Sequence, residues 1–88
     1  MYDLHHVPNI RDSKRLIMNF NVKRGVAIAL PLNVHRNLRA VIFEDVFNAR
    51  DLLAKEIYHL RRHSPIPVSV CLKIIELNKK KYPESFKK

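Results

Sequence analysis

Turn-forming residues divide the chain into a first half patterned for strands and a second half patterned for helices. Residues 2–7, Tyr-Asp-Leu-His-His-Val, make a short extended run that Pro8-Asn9 brings to a turn. A polar stretch over residues 9–15, with Arg11, Asp12, Ser13 and Lys14, reads as a loop. Residues 16–21 fit either a strand or a short helical turn. Residues 22–32 then carry a second strand, with Val26, Ile28 and Leu30 alternating against small Ala27 and Ala29 until Pro31 ends it.

Beyond Pro31 the period changes from two to that of a helix. Asn33 suits the N-cap of a helix starting at Val34, because its side-chain oxygen can accept an orphan backbone N–H of the first turn. Leu38, Val41 and Ile42 follow at helical spacing. From Glu44 onward, Val46, Phe47, Leu52, Leu53, Ile57 and Leu60 form an apolar stripe with charged residues opposite. Ser64-Pro65-Ile66-Pro67 breaks that helix. Pro67 fits the first turn of another, which carries Val70, Leu72, Ile74, Ile75 and Leu77 toward Lys81 before Pro83 stops it. The order of strand, loop, strand and two or three helices predicts one α+β domain over residues 1–88. Its hairpin part is 1–36 and its helical half 37–88.

Composition narrows what such a domain can do. The 88 residues carry 17 Lys+Arg against 8 Asp+Glu, a formal charge of +9, yet 47% are hydrophobic, which sets the chain apart from a disordered basic tail. One cysteine, Cys71, excludes an intramolecular disulfide and any zinc site needing two thiolates, and reads as a small buried apolar residue. No apolar run approaches the ~18 residues of a membrane span, and the N-terminus lacks the pattern of a signal peptide, so stable membrane association is not expected. The charge makes a polyanion the expected partner.

The histidines supply the candidate chemistry. His5 and His6 are adjacent at a strand end, so they face opposite sides of it unless the chain bends there. His35 follows the second strand, in the first turn of a helix, and a hairpin followed by a helix can bring the three imidazoles together. That set suits a one-metal nuclease, in which one imidazole binds a divalent cation and its neighbour deprotonates a water. His59 and His63 stand at i, i+4 but read, with Arg61 and Arg62, as a solvated basic helix end.

Asp3-Leu4-His5-His6-Val7-Pro8, then Gly25-Val26-Ala27-Ile28, Leu30-Pro31 and His35-Arg36, resemble the HNH/endonuclease VII superfamily of ββα-metal nucleases. More narrowly they are similar to LHH-type nuclease domains at the C-termini of bacterial polymorphic toxins of the contact-dependent growth inhibition and Rhs types. The resemblance is clearest over residues 3–36. It implies His6 as the general base, His5 and His35 as ligands of one divalent metal ion (Mg2+, Mn2+ or Zn2+), Asp3 as an aid to the metal or the doublet, and Asn33 as a residue orienting the base. Many members carry a further helical histidine where this chain has Leu38 and Arg39, so Asn37, water or a phosphate oxygen stands open as the third ligand. The resemblance also implies a secreted or cell-surface toxin acting in the cytoplasm of the target cell. It implies, too, a cognate immunity protein, which an acidic surface would suit.

Substrate contact is expected from Lys23, Arg24, Arg36 and Arg39 near the hairpin, and from Arg61 and Arg62 farther along. Lys79, Lys80, Lys81, Lys87 and Lys88 form a distal group. With no Trp, three Tyr and four Phe, base stacking is not the expected main source of affinity. Two other readings stay open: a noncatalytic basic nucleic-acid-binding module, and a structural subunit of a ribonucleoprotein or organellar assembly.

Overall fold

A computed structural model describes residues 2–39 and 46–86. Within them the fold is α+β: an antiparallel pair of strands with helices packed on one side. Strand β1 (Tyr2–His6) pairs with β2 (Ala27–Pro31), in a register that sets Asp3 opposite Leu30, His5 opposite Ile28 and His6 opposite Ala27. Directly opposed residues share a face. Asp3, His5, Ile28 and Leu30 therefore line one side of the pair, and Leu4, His6, Ala27 and Ala29 the other. The first side turns inward, with Leu30 and the adjoining Val7 and Val26 buried. The other leaves Leu4 and Ala29 exposed.

The connection between the strands is not the expected loop and strand. Residues Ile10–Leu16 form helix α1. Asn9 Oδ1 accepts from the Asp12 N–H at 2.9 Å, Asp12 sits in the first turn, and Lys14 and Arg15 sit in the last, so cap and charges both favour a helix. The polar composition that suggests a loop is here a buried polar face, with Asp12 and Ser13 enclosed. Val22–Arg24, expected in the second strand, is instead a 3-10 turn whose Lys23 N–H is capped by Asn21 Oδ1, so the strand is shorter than predicted. The predicted alternation holds across the strand that remains.

Helix α2 (Leu32–Arg39) begins immediately after β2. Asn33 therefore lies inside its first turn rather than at the N-cap, because the helix starts at Leu32. Val41, Ile42 and Glu44 lie outside the described residues. Helix α3 (Ala49–His63) is capped by Asn48, whose Oδ1 accepts from the Asp51 N–H at 2.8 Å. It buries Leu52, Leu53, Ile57 and Leu60 as the stripe predicts. Phe47, expected in that stripe, precedes the cap and is 79% exposed. Helix α4 (Val68–Lys81) has Pro67 as its cap residue and buries Cys71 and Ile74, while Leu72 faces solvent. Pro83 opens a short α5 (Pro83–Phe86).

The core joins both halves of the chain: Val7, Val26 and Leu30 from the strands meet Leu53, Ile57 and Leu60 of α3 and Ile74 of α4. Fully enclosed, Leu52 and Leu60 each contribute about 1.5–3 kcal/mol by leaving water. Among the described residues no helix is long and apolar enough to cross a membrane.

Candidate active site at the strand–helix junction

Because α2 follows β2 without a loop, it packs against both strands and brings His35 over the inward face of β1. There His35 Nδ1 and Asp3 Oδ2 stand 2.8 Å apart. The His5 and His35 rings meet edge to face, with centroids 5.2 Å apart and planes at 72°. Asp3 and His5 are two residues apart on one strand, so the alternation of the strand itself puts both beneath the helix. The structure thus unites three of the residues predicted as the metal group.

Burial sets the charge state of His5. The residue is 9% exposed, and its pKa is pushed down to about 4, first by desolvation and then by the neighbouring charges of His35 and His6. A neutral imidazole keeps a nitrogen lone pair available at physiological pH. Asp3 engages the Nδ1 side of His35 and leaves Nε2, an arrangement in which a carboxylate orients a ligating imidazole. His5 and His35 are thus two imidazole donors of the kind a divalent cation takes, standing edge to face. Among the described residues, however, no three His, Cys, Asp or Glu side chains gather into a complete set for a metal ion.

His6 is half-buried on the opposite face of β1. Its ring lies over Gly25: a methyl group on Gly25 would stand 3.2 Å from His6 Cδ2 and 3.4 Å from the Phe20 ring. Gly25 has an ordinary φ of −63°, so what it provides is close approach rather than backbone freedom. A second restraint holds the strand end. The Val7 N–H donates to the Val26 carbonyl at 2.9 Å, and buried Asn78 on α4 donates from Nδ2 to the carbonyls of Val7 and Ile74, each at 2.9 Å. Sequence reasoning missed the roles of Gly25 and Asn78. The signal for the first was present, since Gly25 is the one glycine in the chain. Asn78 has no local signature, because its partner lies at the other end of the sequence.

Asn33 is exposed, and no hydrogen bond joins it to His6 among the described residues. Of the predicted substrate contacts, Lys23, Arg24 and Arg36 are exposed, the first two beside Gly25. Arg39 ends α2. Arg61 and Arg62 are exposed at the end of α3, away from the junction in sequence, and Arg62 Nη1 donates to the Tyr58 hydroxyl at 2.8 Å. Lys81 is not distal at all: its Nζ donates to the Arg24 carbonyl at 2.9 Å. Lys87 and Lys88 lie outside the described residues.

One buried acid lies outside this site. Glu56 of α3 accepts from the Asn9 N–H at 2.6 Å and from Asn9 Nδ2 at 3.3 Å, tying the start of α1 to α3. Burial pushes its pKa up to about 8, with the Asp12 charge adding to the rise and the Asn9 hydrogen bonds opposing it. No protein-family model, curated protein or solved structure matches this chain.

Proposed function

We propose that this domain is a metal-dependent endonuclease of the HNH-like, ββα-metal kind, hydrolysing phosphodiester bonds of DNA or RNA. The observation that carries the reading is the meeting of Asp3, His5 and His35 where a helix follows directly on an antiparallel strand pair. His5 and His35 would hold the divalent cation, with Asp3 fixing the His35 ring. A cation bound there supplies Lewis-acid stabilisation of the charge that builds on the phosphate. His6, whose ring lies against Gly25, takes the proton from the attacking water. Lys23, Arg24, Arg36 and Arg39 bind the backbone without reading sequence. In this reading the domain is the toxic C-terminal module of an interbacterial toxin, delivered to the cytoplasm of a target cell. An acidic immunity protein would complement its +9 charge.

One observation favours a second reading, a basic module that binds nucleic acid without cutting it. His5 and His6 occupy opposite faces of β1, which separates the base from the imidazole pair by the thickness of the strand. Metal binding distinguishes the two. Calorimetric titration with Mn2+ or Zn2+ should give one site in the parent and weakened binding in His5→Ala and His35→Ala. Unchanged affinity in both variants removes these residues from the metal site and leaves the binding module.

A further inference from the structure

The basic groups predicted to be separate converge on a cavity of about 270 Å3 between the segment after α1 and the end of α4. Its walls include Arg24, Lys81, Asn19, Asn21, Tyr82 and Glu84. The Met18 N–H donates to Ser85 Oγ at 3.0 Å and the Asn21 N–H to the Tyr82 hydroxyl at 3.4 Å, so both walls are fixed to each other. Asn19 takes φ 60°, a left-handed conformation that asparagine tolerates better than most residues, and this turns the segment around the cavity rim.

We propose that this cavity is a subsite for a backbone phosphate of the nucleic acid strand, next to the phosphate that faces His6, with Lys81 and Arg24 as its cationic clamp. The Lys81 ammonium is already placed by the Arg24 carbonyl, which uses one of its three donors and leaves two. Among the described residues neither Lys81 nor Arg24 has an ion-pair partner, whereas Arg11, Arg15, Lys55 and Lys73 each have a carboxylate within reach. Two cations without a carboxylate at ion-pair distance among the described residues outnumber the one acid of this polar cavity, Glu84, and draw an anion. The cavity also adjoins His6: Arg24 precedes Gly25, against which the His6 ring lies, and the Phe20 ring touching that point stands 5.7 Å from the Tyr82 ring. Glu84 opposes an anion and so tempers the affinity. The subsite depends on the nuclease reading only for its neighbour, the scissile phosphate.

The test uses the His6→Ala protein, so that binding is read without cleavage, and labelled single-stranded DNA and RNA of about 12 nucleotides. Lys81→Gln, which removes the charge but keeps a donor for the Arg24 carbonyl, should weaken binding about tenfold. It should also lower the slope of log affinity against log salt by about 0.7. Lys73→Gln removes the same charge elsewhere on α4 and should change affinity by no more than about twofold, and Glu84→Gln should tighten binding. Equal losses from Lys73→Gln and Lys81→Gln, or an unchanged slope in Lys81→Gln, overturn the subsite. Inorganic phosphate should displace the strand only weakly. Tight phosphate binding with oligonucleotide affinity unaffected by Lys81→Gln would make the cavity a small-anion site and likewise overturn the proposal. If the parent cuts nothing while Lys81→Gln still weakens strand binding, the nuclease reading fails and the subsite stands.

Discussion

A single methyl group at Gly25 is enough to test how His6 is held. Gly25→Ala must push the His6 ring, the Phe20 ring or the turn itself by a few tenths of an ångström. Since misplacement of a reacting group by ~1 Å can cost about a hundredfold in rate, we expect roughly tenfold slower cleavage with nearly unchanged nucleic-acid affinity. Steady-state turnover and strand binding of the purified variant check this, and equal turnover would show that Gly25 does not position the base. Glu56 gives a prediction in pH. Its pKa is about 8 in the fold against 4.5 unfolded, so between those values the folded state holds a proton that the unfolded chain has lost. Stability therefore falls as pH rises through that window, by up to ~1.4 kcal/mol per unit. His5, at about 4 against 6.5, acts oppositely: the unfolded chain binds its proton first, so this contribution rises with pH between 4 and 6.5. Of these two contributions, only that of Glu56 still changes above pH 6.5. Urea unfolding between pH 6.5 and 8 should show stability declining more steeply in the parent than in Glu56→Gln; parallel profiles would contradict the assignment.

At the scale of elements, what the sequence displays is what depends on local pattern. The alternation around Ile28, the α3 stripe from Leu52 to Leu60 and the Pro67-to-Lys81 span of α4 follow from periodicity and proline placement. Helix α1 is not legible because its inward face is polar: Asp12 and Ser13 are buried there, and its cap residue Asn9 is held by an acid, Glu56, that lies far along the chain. Helix α2 starts at Leu32, two residues before the Val34 that the sequence predicts, because Asn33 has the chemistry of a cap without its location. The joining of Asp3 and His35 was partly legible, through the alternation that places Asp3 and His5 on one strand face. The anchor from α4 was not, since only tertiary structure brings Asn78 to Val7. Removing that anchor should show in both stability and function. Asn78→Ala leaves the Val7 and Ile74 carbonyls without these donors in the core and should cost about 1–3 kcal/mol. It should also slow cleavage by loosening the strand end beside His6. Chemical denaturation and turnover of the same preparation test it, and full stability would remove Asn78 from the account.

For the whole molecule, the +9 charge is what the proposed nucleic-acid reading draws on, and part of it gathers at one place. The loop cations Lys23 and Arg24 and the lysine-rich end of α4, remote in sequence, meet through Lys81 next to the strand face that carries His6. The imidazole pair beneath α2 occupies the other face of the same strand. In the proposed nuclease the cation donors and the base lie on opposite faces of one strand, the separation that also keeps the noncutting binding module as its rival. The most direct test is digestion of plasmid DNA and total RNA by the parent and by His6→Ala, each with Mg2+, Mn2+ or Zn2+ and with EDTA. The account predicts that the parent degrades at least one nucleic acid with a divalent metal and stops in EDTA, while His6→Ala stays folded, binds the same substrate and does not cut it. Cleavage by His6→Ala at the parent's rate, or no cleavage by the parent with any of the three metals, would contradict it.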